Sequence, residues 1–151
     1  MNKHKTIELP YLYDIDHLKE KSTLLTVTHE SPTSMKKAAE LMAHYLKREI
    51  HTDFSQYSSE TDGKKPHVKS YIWIDYDWSG VFVIGACGFR KNQSGNELEW
   101  VWIHPYYRGR GLLTAAWPIF LKEYGDGFSI MEPLRFGMDG FIKSMYGDKK
   151  C

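Results

Sequence analysis

Residues 97–113, ELEWVWIHPYYRGRGLL, constrain the fold more than any other stretch. An apolar strand pattern runs through one proline into an arginine- and glycine-rich turn that opens a helix. Over residues 100–103 the β-branched and aromatic side chains favour an extended backbone. His104-Pro105 ends the strand, since proline offers no N–H to a ladder and restricts the residue before it. In Arg108-Gly109-Arg110-Gly111 two glycines permit a tight turn and a close approach of backbone N–H groups to a ligand. Leu112, Ala116, Ile119 and Phe120 then repeat at helical spacing. The free N–H groups of that first helical turn, on Leu112, Leu113 and Thr114, join the positive end of the helix dipole and the two arginines. Together they form an anion site suited to a pyrophosphate.

These residues resemble the signature of the GNAT superfamily of acyl-CoA-dependent N-acyltransferases, Arg/Gln-x-x-Gly-x-Gly/Ala directly after a strand. The chain reads Arg108-Gly109-Arg110-Gly111-Leu112-Leu113, with Leu113 where the family has glycine or alanine. The order of elements over residues 22–146 is similar as well: strand, helix, two strands, the signature strand and helix, another strand, a last helix. Met131-Glu132-Pro133-Leu134 loosely resembles a segment of the cohesion acetyltransferases, with Arg135 departing from the small polar residue expected there. The resemblance implies an α/β (α+β) fold, a mixed and mostly antiparallel twisted sheet flanked by helices. With only residues 147–151 after the last expected helix, the C-terminal strands of many relatives are expected to be shortened.

Composition fits one domain spanning residues 1–151. That length is near the commonest domain size, and 42% hydrophobic with 15% aromatic residues opposes disorder. A formal charge of +1 creates no global basic field, so nucleic acid is not an expected partner; Lys149-Lys150 is too short a run to alter this. No apolar run reaches the roughly 20 residues of a membrane span, and the first residues lack a signal-peptide core, so a cytoplasmic location is expected. Cys87, in an apolar strand, reads as a small buried hydrophobe, and Cys151 is terminal. The scattered histidines show no ligand spacing, so no metal is expected.

Elsewhere, residues 24–27 read as a first strand, and Ser31-Pro32 as an N-cap with proline at the first helical position. Met35, Ala38, Ala39, Met42 and Leu46 mark one buried helix face. Residues 52–69 are polar and read as a mobile surface loop within the domain. Residues 71–76 and 81–89 form two strands around a turn at 77–80, and 92–96 is a second turn. Pro118 is expected to kink or end its helix early by freeing the Thr114 carbonyl. Residues 128–131 read as a short strand. Met138, Phe141, Ile142 and Met145 mark a last helix weakened by Gly137 and Gly140.

Transfer of an acyl group to an amine needs a proton acceptor, since a lysine-type amine has a pKa of about 10.4 and attacks only when neutral. Strict alternation puts Glu97, Glu99, Val101 and Ile103 on one face of the strand and Leu98, Trp100 and Trp102 on the other. Glu97 and Glu99 are the candidate bases. The resemblance favours Glu97, eleven residues before Arg108 as in the histone-type members. It also implies that backbone groups of Val101, Trp102 and Ile103 bind the pantetheine arm, and that Arg108, Gly109, Arg110, Gly111, Leu112, Leu113 and Thr114 hold the pyrophosphate. The family's acid tyrosine lines up with Phe141, which has no hydroxyl; Tyr146 is a substitute candidate acid, the alternatives being that it packs the core edge and the thiolate takes its proton from solvent. His104 is a candidate shuttle, or a structural residue at the strand end. Tyr106 and Tyr107 border the turn.

The function expected is an acetyl-CoA-dependent N-acetyltransferase acting on a small-molecule amine or a protein lysine, with a homodimer left open. The rivals are a CoA-binding module without turnover and a nucleic-acid or protein-interaction domain.

Overall fold

The computed structural model describes residues 7–13 and 23–131. In chain order these form β1 (Tyr11–Leu12), β2 (Leu24–Val27), α1 (Thr33–Ile50), β3 (Val68–Asp77), β4 (Gly80–Asn92), β5 (Gly95–Ile103), α2 (Leu112–Tyr124) and β6 (Ser129–Ile130). Short 3-10 turns lie at Asp62–Lys64 and Pro105–Tyr107. The sheet runs β2-β3-β4-β5-β6, and β1 pairs with β4 at Val81 and Phe82, ahead of β5. Every pairing is antiparallel except β5 with β6. This is the mixed, mostly antiparallel sheet with flanking helices that the sequence predicts.

Each helix buries its apolar stripe against one face. On one, Met35, Ala38, Ala39, Met42 and Leu46 of α1 pack against Ile72, Val83, Ala86, Trp100 and Trp102. On the other, Ala116, Trp117 and Phe120 of α2 pack against Tyr71, Trp73, Phe89 and Leu98, with Cys87 fully buried among them as the sequence predicts. Apolar burial of this kind contributes about 25 cal/mol per Å2, which is what ties β5, carrying the candidate site, to both helices.

Several expectations need correction. The alternation along β5 is broken by a bulge: Leu98 pairs with Phe89 and Trp100 with Gly88, so Glu99 is the extra residue. A bulge puts its neighbours out of phase. Leu98 therefore joins Val101 and Ile103 on the α2 face, while Trp100 and Trp102 face α1. Ser31 does not cap α1; its Oγ accepts from Thr28 N at 2.8 Å, and Pro32 occupies the cap position without a side-chain bond. Pro118 does not end α2, which runs on to Tyr124. Both Pro118 and Thr114 are exposed, so water can replace the missing donor.

Residues 52–67 are not a loose surface loop. Tyr57, Ser59 and Gly63 are buried against α1, and Glu40 Oε1 accepts from both Ser59 N and Ser59 Oγ at 2.7 Å. Val68 and Lys69 already belong to β3. The expected last helix, with Phe141 and Tyr146, lies outside the described residues, as does the segment from Glu132 onward.

Candidate functional site

On one side β5 pairs with β4 along its length. On the other, β6 meets it only at Glu97 and Leu98, with one further bond from Met131 N to Leu98 O at 2.9 Å. From Glu99 to Ile103 that edge has no strand partner among the described residues. His104 N donates to Ile84 O at 2.8 Å, which fixes the phase of the ladder. By antiparallel alternation the N–H groups of Val101 and Ile103 point away from β4, toward the open edge. An extended ligand chain can bond there as an added strand would.

The open edge leads straight into the predicted turn. His104 Nδ1 accepts from Tyr106 N at 3.0 Å, and Tyr107 N donates to His104 O at 2.8 Å. Burial, helped by the Arg108 charge, lowers the His104 pKa. The neutral ring with a free Nδ1 lone pair is what this cap requires, so His104 holds the start of the turn. Gly109 and Gly111 have φ of +73° and +81°, values that favour glycine, and a Cβ on either would meet nothing within 4 Å. Gly111 is the N-cap of α2, where no side chain caps the helix. Ala115 N donates to Gly111 O at 2.9 Å, so the N–H groups of Leu112, Leu113 and Thr114 have no acceptor within the helix. No side-chain cap bond meets them, and they carry the positive end of the helix dipole.

The two arginines part company. Arg110 is exposed and its guanidinium stacks over Tyr106 at 4.3 Å. Arg108 turns back toward the protein: Nε donates to Ile103 O at 2.6 Å, and Nη1 and Nη2 reach Glu49 at 3.1 and 2.6 Å. Trp102 Nε1 donates to the same carboxylate at 2.9 Å. The Arg108 hydrogen bond, with the Trp102 bond, holds Glu49 below its ordinary pKa despite partial burial. Arg108 thus pins the turn to the end of α1. Tyr107 is also fixed, its hydroxyl donating to Asp75 Oδ2 at 2.9 Å.

The candidate bases differ in setting. Glu97 is half-buried near the start of β5, its backbone between Arg90 and Ser129. Glu99, at the bulge, is 12% exposed, and its Oε2 accepts from Arg90 Nε at 3.0 Å. Arg90 Nη2 reaches Asp62 Oδ1 at 2.7 Å. Burial pushes the Glu99 pKa up, Arg90 opposes this, and Glu97 and Asp62 add to the rise. A carboxyl raised toward neutrality suits proton transfer better than an ordinary surface glutamate. Tyr146 lies outside the described residues. Sequence reasoning missed Glu49, Asp62 and Arg90. Of these, only Arg90 carried a signal, as a cation in the strand beside two carboxylates.

A separate groove of about 830 Å3 runs along α1, between Tyr11, Glu40, His44 and Tyr57, away from the turn. Among the described residues no group of three or more His, Cys, Asp or Glu side chains could hold a metal ion. No helix there is long and apolar enough to cross a membrane.

No protein-family model and no curated protein matches this chain in sequence. Solved structures do match in fold. An xEco2 acetyltransferase domain bound to a CoA conjugate superposes with a TM-score of 0.57 at 12% identity, over 82% of this chain and 86% of that one. An aminoglycoside acetyltransferase from an uncultured soil metagenomic sample, in complex with sisomicin, gives 0.53 at 10% identity, over 85% and 89%. The same enzyme with trehalose gives 0.52 at 9% identity, over 85% and 90%. The architecture is therefore that of an acetyltransferase fold. Specifically, the sheet and helices have the arrangement that the resemblance of the signature strand and turn to the GNAT superfamily implies.

Proposed function

We propose that this protein is an acetyl-CoA-dependent N-acetyltransferase that moves an acetyl group directly from the CoA thioester to a primary amine. The observation that carries this reading is the edge of β5 from Glu99 to Ile103, which has no strand partner among the described residues and turns the Val101 and Ile103 N–H groups outward, continuous with the glycine-opened N-terminus of α2. Acetyl-CoA supplies the activated acyl group. Gly109, Arg110, Gly111 and the N–H groups of Leu112, Leu113 and Thr114 hold its pyrophosphate, while the β5 edge from Val101 to Ile103 takes the pantetheine arm and polarises the thioester carbonyl. The CoA conjugate and the sisomicin bound to proteins of similar fold support a CoA donor and an amine acceptor.

Glu99 serves as the base. It removes a proton from the acceptor ammonium so that the nitrogen lone pair is free to attack. Glu97 is less enclosed and sits farther from the turn along the strand. The experiment is thiol release from acetyl-CoA with a panel of spermidine, sisomicin and a lysine peptide, run on wild type, Glu97→Gln and Glu99→Gln. Glu99→Gln should lose about 10²- to 10⁴-fold in turnover while acetyl-CoA affinity holds, and the loss should shrink as pH approaches the amine's own pKa. Loss in Glu97→Gln alone would move the base to Glu97. Acetyl-CoA binding without thiol release on any amine would make the protein a CoA-binding module.

A further inference from the structure

Among the described residues, Glu99 is gripped on one oxygen. Arg90 Nε donates to Oε2, and no donor among the described residues holds Oε1. The same guanidinium, through Nη2, is anchored on Asp62 Oδ1. Asp62 is itself fixed, because its Oδ2 accepts from Ser58 N at 3.0 Å and closes the 3-10 turn onto the chain before it. The three side chains are 12%, 24% and 15% exposed for Glu99, Arg90 and Asp62, so water screens them little. One planar cation therefore joins the loop after α1 to the bulge in β5. A guanidinium suits this, since its donors are rigidly spaced and it stays charged at any working pH.

We propose that Arg90, anchored by Asp62, is a positioning residue for the proposed base: it holds Oε2 of Glu99 and leaves Oε1 to receive the acceptor's proton. The proposal rests on Glu99 acting as that base. The bulge adds to the geometry, since the extra residue lets the Glu99 carboxylate reach Arg90 across the strand pair while Trp100 keeps its place under α1. The charged groups around Glu99 are Arg90 from β4, Glu97 from its own strand and Asp62 from the 3-10 turn, with Lys65 3.9 Å from Asp62. Their signs make opposite predictions for two variants. Removing Arg90 takes away the cation that favours the charged carboxylate. Removing the Asp62 charge takes away a repulsion.

The test follows Glu99 directly, by carbon-13 NMR titration of its carboxyl in the full chain, beside the pH profile of kcat/KM for thiol release from acetyl-CoA with the same amine panel. In Arg90→Gln the Glu99 midpoint should rise by about one pH unit, and the acid limb of the profile should rise with it, while acetyl-CoA affinity stays within twofold. Arg90→Lys should restore much of the midpoint. In Asp62→Asn the midpoint should fall, because the repulsion is lost while the amide oxygen still accepts from Arg90, and kcat should drop severalfold because the neutral anchor is weaker. General loosening of the fold would move both variants the same way. A midpoint unchanged in Arg90→Gln, or moving in the same direction in both variants, overturns the proposal. If Arg90→Gln does not fold, Asp62→Asn decides alone: a fall in the midpoint with reduced kcat supports the proposal, and no movement overturns it. Midpoints that move as stated while Glu99→Gln keeps full turnover overturn the base assignment instead, which separates failure of the proposed function from failure of the Arg90 link.

Discussion

Replacing Gly88 by alanine tests whether the bulge at Glu99 is built on a contact rather than tolerated by chance. Gly88 lies opposite Trp100 in the β4–β5 pair, and its backbone is compatible with any residue, so strain at φ plays no part. A Cβ there would collide with Trp100 Nε1 and sit 2.8 Å from Cδ1 and 3.0 Å from Cε2. Carbon atoms in ordinary contact are about 3.5–4.0 Å apart, so the indole must move by roughly 1 Å. It has nowhere to go: Trp100 is 1% exposed and Tyr57, 2% exposed, packs beside it with ring centroids 6.3 Å apart. Overpacking of this kind costs about 1–3 kcal/mol, and at about 2–4 °C per kcal/mol for a chain of this size the Tm falls by roughly 2–12 °C. The assay is urea and thermal unfolding beside Gly127→Ala, where an added Cβ meets nothing within 4 Å and φ is unstrained. That control should stay within about 0.5 kcal/mol of wild type. Equal stability of the two variants would refute the reasoning.

Glu49→Ala leaves the indole N–H of Trp102, a residue 3% exposed, without its acceptor and takes the carboxylate from Arg108. It should cost about 1–3 kcal/mol in urea unfolding, whereas Glu49→Gln keeps an acceptor oxygen for Trp102 and should cost under about 1 kcal/mol, the range of an exposed ion pair. Ser59→Ala removes the hydroxyl donor to Glu40, whose pKa is held below 4.5 by the Ser59 bonds and Lys37 against partial burial. Because the folded value lies below the unfolded one, that stabilisation is present above pH 4.5 and lost as pH falls through the folded value. The variant should thus be less stable than wild type by about 1 kcal/mol at pH 7, with the gap closing in acid. A gap independent of pH would refute the link to Glu40.

The parts legible in the sequence are those set by neighbours in the chain. Residues 24–27 and 100–103 show strand composition, Pro105 stops the strand, and the glycines at 109 and 111 announce a turn whose positive φ they alone tolerate easily. The face of α1 followed from its spacing. What stayed hidden depends on distant pairs. The bulge that reverses Leu98 lies where Trp100 packs over Gly88 of another strand, and the Glu49–Arg108 clamp spans 59 residues. The polar composition of residues 52–67 concealed that Glu40 and Arg90 would each hold part of that loop, so a segment read as loose is pinned at Ser59 and Asp62. The partner of Arg108 was hidden for the same reason, since Glu49 sits on another element.

The most direct test of the central claim is calorimetric titration of the wild-type protein with acetyl-CoA, repeated on Arg110→Ala and at two salt concentrations. The open β5 edge and the uncapped start of α2 predict micromolar binding, about −8 kcal/mol, which weakens in the variant and at higher salt because part of it comes from the pyrophosphate. No binding at millimolar acetyl-CoA would contradict the account.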